Sequence, residues 1–159
     1  MSRTLFEKIL VPLDGSENSE KALEKAVQIA KMFGGKVTLL HAYLASVQPV
    51  MMPEPAGLSS PIVPVLTAAE VSRVVDAARN AGKRILDDGA AKAGSEGVQV
   101  EKLLVEGHAV QEIVKTAKEG KYDLVVIGAR GMSRIKELFL GSVTDGVVHH
   151  ALCPVLVVK

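Results

Sequence analysis

The residues best suited to chemistry lie between Tyr122 and Thr144, in YDLVVIGARGMSRIKELFLGSVT. Gly128 and Gly131 frame one turn, and nine residues pass before Gly141, Ser142, Val143 and Thr144. Leu124 to Ile127 is a short β-branched apolar run and reads as a buried strand. Helical spacing resumes past Thr144, so one glycine turn closes a strand and the other opens a helix. Glycine admits close approach of backbone to a ligand, and a side chain at Gly128, Gly131 or Gly141 would stand where a phosphate or ribose could sit. Amides at the helix start point at an anion, helped by the helix dipole. Ser142 is a good N-cap type, and Ser142 and Thr144 both offer hydroxyls to phosphate oxygens. The stretch reads as a phosphate cradle. Plain turn chemistry is the competing reading of its glycines, and a solvated loop cation that of Arg130.

The second candidate is Asp14, in the turn Asp14-Gly15-Ser16 after the apolar run KILVPL. A carboxylate there either meets a ligand or pairs with the free amides of the helix that Ser16 caps. The elements that must position it follow from the pattern. Lys8 to Leu13, Lys36 to Tyr43, Val98 to Val105, Asp123 to Ile127 and Val155 to Val158 read as strands. Ala22, Leu23, Ala26, Val27, Ala30 and Phe33 mark the first helix, which Gly34-Gly35 ends. Thr67 to Glu70 carries a capping-box pattern and opens the longest helix, with Val71, Val74, Val75, Ala78, Gly82, Ile85 and Leu86 at helical spacing. Val110, Ile113, Val114 and Ala117 mark a third helix. Val143, Val147, Val148, Ala151 and Leu152 mark a fourth, halted by Pro154.

Strands alternating with helices predict an α/β fold: a five-stranded parallel sheet in the order 3-2-1-4-5, with helices on both faces. In that order strands one and four are adjacent, with the reversal of strand order between them. Ligands bind beyond the carboxyl ends of the strands at such a point. Asp14 and Gly128 both fall there.

Composition narrows the class. The 159 residues predict one domain, 1–159, with a proline-rich loop at Ala45 to Leu66 that holds five of the seven prolines. Met51 and Met52 in that loop read either as packing over a neighbour or as solvent-exposed. Net charge is +1 and aromatics are 3%, which points away from nucleic acid and anionic membranes. Cys153 is the lone cysteine and reads as a small core residue. No long apolar segment is present, so a cytoplasmic chain is expected. Gly-x-Gly-x-x-Gly after strand one, a P-loop and a Gly-x-Ser-x-Gly elbow are all absent. His149 and His150 point to different helix faces, His41 sits at the core or rim, and His108 reads as a surface residue.

Gly128-x2-Gly131-x9-Gly141-Ser142 resembles the ATP-binding motif of the universal stress protein family. The likeness continues in KILVPLDGS, VTLLHAY, VEGHAVQEIVKTA and CPVLVVK, and covers nearly all of the chain but the proline-rich loop. It implies a Rossmann-like fold of the adenine nucleotide alpha hydrolase type. Asp14 would accept from the ribose hydroxyls, Pro12 and Leu13 would border the adenine, and the backbone around Ala42 would read its edge. Ile127 and Gly128 would lie against the ribose. Gly131, Gly141, Ser142, Val143 and Thr144 would hold the phosphates, with Arg130 over them. ATP, or AMP or ADP, would bring Mg²⁺ or Mn²⁺ on its phosphates. The last strand, residues 154–158, would pair antiparallel with its twofold mate in a homodimer. No dedicated catalytic residue is expected, and slow ATP hydrolysis is the most that Arg130 and Lys136 suggest. The alternatives are an ATP-independent dimeric interaction module, and a nucleotide hydrolase or transferase of similar fold.

Overall fold

The structure, a computed structural model, describes residues 4–45, 66–132 and 139–159. The strands are β1 (Lys8–Pro12), β2 (Lys36–Tyr43), β3 (Val100–Glu106), β4 (Leu124–Gly128) and β5 (Val155–Val158). They form one sheet in the order β3-β2-β1-β4-β5, with every neighbouring pair parallel. The helices are α1 (Glu17–Phe33), α2 (Ala68–Ser95), α3 (Ala109–Glu119) and α4 (Ser142–His150). The expected 3-2-1-4-5 sheet is therefore present.

Side chains alternate across each strand and divide the core in two. Ile9, Val11, Val37, Leu39, Leu124 and Val126 pack with Leu23 and Val27 of α1 and Leu86 of α2. Leu10, Leu40, Val125 and Ile127 pack on the opposite face, with Ile113 of α3 and Val147 of α4. The helix starts follow the sequence signals. Ser16 caps α1, its hydroxyl accepting the Ser19 N–H at 3.2 Å. Thr67 and Glu70 form a reciprocal capping box, with Thr67 N–H donating to Glu70 Oε2 at 2.7 Å and Glu70 N–H to Thr67 Oγ1 at 3.2 Å.

Three expectations need correction. In α2 only Gly82, Leu86, Gly89 and Ala93 are buried, and Val74 is 51% exposed. The helix has 28 residues, about 42 Å, whereas the strands beneath it have 8 and 7 residues, about 25 Å. Its first turns overhang the sheet. The fourth helix stops at His150 rather than at Pro154, because Ala151 is already extended (φ −66°, ψ 140°). Leu152 is then outside the helix and 79% exposed. The strands begin slightly late, β3 at Val100 and β4 at Leu124, and β4 takes in Gly128.

Residues 46–65 of the proline-rich loop, with Met51 and Met52, lie outside the described residues, as does Lys136. Among the described residues no helix is long and apolar enough to cross a membrane.

Candidate functional site

β1 and β4 lie side by side, with Ile9 opposite Leu124 and Leu10 opposite Val125. The chain leaves β1 for α1 on one face of the sheet and leaves β4 for α4 on the other. The two exits part and open a crevice at the carboxyl edge. A cleft of about 270 Å³ fills it, near the small end of the range for ligand pockets. Pro12, Leu13, Asp14, Ala42, Ile127, Gly128, Arg130, Gly131, Gly141, Ser142, Val143 and Thr144 all line this one cleft. Every nucleotide-binding residue expected from the resemblance is thus at its wall.

The three glycines are needed for different reasons. At Gly128 a Cβ would come within 2.7 to 2.9 Å of the backbone carbonyl and Cβ of Asn18. The absent side chain lets the first turn of α1 sit on the end of β4. At Gly131 the nearest atom to an added Cβ is Oδ2 of Asp14, in direct collision. At Gly141 the closest atoms are Arg130 Cα at 3.3 Å and the Ala129 carbonyl oxygen at 3.6 Å. The expectation of room for a ligand is therefore revised at Gly128 and Gly131, where protein atoms occupy the space of a Cβ, whereas at Gly141 a Cβ would stand near ordinary contact distance.

The turns are stitched at both ends. Gly141 N–H donates to Ala129 C=O at 2.8 Å, and Arg130 Nε–H donates to Phe139 C=O at 3.1 Å. Gly141, extended at φ −62° and ψ 156°, is the N-cap of α4, and Ser142 is its first helical residue. The N-cap reading of Ser142 is corrected: no side chain caps α4. The first intrahelical bond joins Asp145 N–H to Gly141 C=O, which leaves the N–H groups of Ser142, Val143 and Thr144 outside the helical ladder. The Thr144 hydroxyl is buried and donates to Gly128 C=O at 2.6 Å. Its proton ties α4 to β4 and is not offered to a phosphate.

Asp14 takes up the amide-pairing reading and keeps one oxygen for the other. Oδ1 accepts the Ser16 N–H at 2.9 Å, an Asx turn at the start of α1, while Oδ2 faces Gly131. A carboxylate has about four acceptor positions, so the turn bond leaves capacity for a ligand hydroxyl. Asp14 is the one carboxylate among the described lining residues, and no cluster of metal-ligating side chains occurs among the described residues. A divalent ion here would find at most one carboxylate ligand among the described lining residues. His149 and His150 each turn back on α4, Nδ1 lying 2.8 Å from the carbonyls of Asp145 and Gly146.

Ser19, Leu40, His41, Ala109, Ile113 and Met132 also line the cleft and were not read as site residues. Ala109 and Ile113 come from α3, whose apolar face signalled core packing alone. A 3-2-1-4-5 order with right-handed crossovers puts α3 beside α4, and that was the available signal. Ser19 gave none, because its hydroxyl serves the turn by donating to Ser16 C=O at 2.9 Å.

The model of the universal stress protein family matches residues 5–159. The universal stress protein YxiE of Bacillus subtilis is 34% identical over 157 residues, spanning 98% of this chain and 100% of the relative. The solved universal stress protein UspA of Lactobacillus plantarum has TM-score 0.78 at 24% identity, covering 99% of this chain and 100% of the other. A universal stress protein solved in complex with cAMP has TM-score 0.66 at 28% identity, covering 98% of each chain.

Proposed function

This chain belongs to the universal stress protein family, and on that footing we propose that it binds an adenine nucleotide, ATP foremost, in the cleft between β1 and β4. The observation that carries the reading is that Asp14, Gly131 and the unpaired first-turn amides of α4 border one cleft. Main-chain N–H groups of Ser142, Val143 and Thr144 hold phosphate oxygens, favoured by the helix dipole. Arg130 adds the cation among the described lining residues, while its Nε keeps the turn closed. Asp14 accepts from the ribose hydroxyls through Oδ2. Pro12, Leu13 and Ile127 give apolar walls to the base and sugar, and the Ala42 backbone meets the adenine edge. The relative that binds cAMP supports an adenine nucleotide as the class.

Mg²⁺ or Mn²⁺ arrives on the phosphates, which with water supply most of its oxygen ligands. The reading is one of binding rather than turnover. No second carboxylate or glutamine stands among the described lining residues to orient a water for attack on a phosphate.

The protein acts as a homodimer through β5. That strand is the sheet's edge, its sequence VLVV carries no charge, and Leu156 is 39% exposed, as Leu152 is at 79%. An uncharged apolar edge invites antiparallel pairing with a second copy. Sedimentation should give a dimer, and Leu156→Glu should give monomers; a monomeric parent protein would end this part of the reading. For the ligand, heat-released material from purified protein is identified by chromatography, and ATP, ADP and AMP are titrated calorimetrically. Neither released nucleotide nor binding heat would reject the proposal.

A further inference from the structure

His41 is held on two sides by contacts that no core-filling role requires. Its Nδ1 lies 2.7 Å from the carbonyl oxygen of Leu13. A carbonyl only accepts, so Nδ1 carries the proton, in the neutral ring and the imidazolium alike. On its other edge the imidazole meets α2 at Gly82, where an added Cβ would lie 2.5 Å from Cδ2 and 3.1 Å from Nε2. Glycine inside a helix costs about 1 kcal/mol relative to alanine, and the missing methyl is what seats the ring.

Leu13 is the residue between the end of β1 and Asp14. Its N–H donates to Leu40 C=O at 2.8 Å and its C=O accepts from His41. Both polar groups of the peptide units flanking Leu13 are thus fixed by consecutive residues of β2, one residue past the end of β1. Asp14 is then held from below by this clamp and from above by Ser16 N–H. The Leu13 carbonyl carbon is bonded directly to the Asp14 nitrogen, so rotation of that peptide moves the carboxylate relative to Gly131.

We propose that His41 is a positioning residue for the nucleotide cleft: its Nδ1–H clamps the Leu13 peptide and thereby aims the Asp14 carboxylate at the ligand. The inference rests on the nucleotide reading for its affinity readout, but its hydrogen-bond geometry stands apart from that reading.

The test uses the full chain and ATP in calorimetric titration. Asparagine places its amide nitrogen where Nδ1 stands, whereas glutamine reaches toward Nε2. His41→Leu and His41→Gln should raise the ATP Kd about tenfold, as expected for one oriented hydrogen bond lost with a carbonyl left unpaired. His41→Asn should stay within about threefold of the parent. In an Asp14→Asn background His41→Leu should cost less than about twofold, because the group it aims is already altered. If His41→Leu does not fold, the Asn and Gln pair carries the comparison. Equal affinity in the Gln and Asn variants, or full additivity with Asp14→Asn, would overturn the role of His41 while leaving nucleotide binding intact. A parent protein that binds no ATP, ADP or AMP would overturn the nucleotide reading and this role together. Long-range ¹⁵N–¹H correlation of the unliganded protein reads the ring directly; a neutral Nε2–H tautomer at His41 would refute the clamp whatever the nucleotide result.

Discussion

Gly131→Ala isolates the contact around which the cleft is built. An alanine Cβ at this position collides with Oδ2 of Asp14, and among the described residues no other side chain lies as near. Gly131 is exposed and is not among the glycines with positive φ, so its backbone accepts alanine without strain. Folding stability should change by less than about 0.5 kcal/mol. The carboxylate, however, must swing off Gly131 and lose its line to the ribose. A hydrogen bond to a charged group contributes about 1.5–3 kcal/mol, so the ATP Kd should rise roughly 10- to 150-fold. Gly131→Val should do no worse than about threefold beyond alanine, since the first carbon makes the collision. Titration calorimetry with ATP reads the binding, and a thermal melt reads the fold. In an Asp14→Asn background the alanine substitution should lose most of its effect. A Gly131→Ala protein that binds ATP within twofold of the parent would refute the reasoning. So would one in which valine alone abolishes binding, because the glycine would then be serving the phosphates and not the carboxylate.

The other tests separate stability from binding. Gly128→Ala forces a methyl onto the Asn18 backbone and should cost about 1–3 kcal/mol in urea unfolding, with Tm falling about 2–4 °C per kcal/mol; an unchanged midpoint would contradict the packing role. Thr144→Val removes the bond to the Gly128 carbonyl and should cost about 1–3 kcal/mol while ATP affinity shifts only a few-fold; lost affinity at full stability would mean that the hydroxyl meets the ligand. Burial pushes the Cys153 thiol above its ordinary 9.0. The folded chain then holds that proton to higher pH than the unfolded chain, so this group's contribution to stability is complete below pH 9 and declines as pH rises through the unfolded value. Comparing alkaline unfolding curves of the parent and Cys153→Ala checks the sign, and a parent that gains stability relative to Cys153→Ala above pH 9 would reverse it.

The sheet and its order were readable because each strand is a short apolar run, closed in β1, β3 and β4 by proline, aspartate or glycine, and each helix repeats at 3.6. Asp14 and the glycine turns could be assigned to one edge from that order alone. What spacing could not tell was which neighbour each glycine accommodates, since a missing side chain carries no mark of what replaces it. Gly128 answers to Asn18 of α1, across 110 residues of chain, and Gly131 answers to Asp14. The cap of α4 was misplaced by one residue because Ser142 is the better capping type, while the stitch from Gly141 to Ala129 sets where the helix begins. His41 looked like an ordinary strand histidine because its partner is a main-chain oxygen, which leaves no trace in a list of side chains.

The paired bonds from Gly141 to Ala129 and from Arg130 to Phe139 act like the drawstring of a purse. Whatever lies between Met132 and Phe139 begins and ends at a fixed mouth. The donors at its neck, Gly141 N–H and Arg130 Nε–H, thus reach acceptors that also stand outside that span.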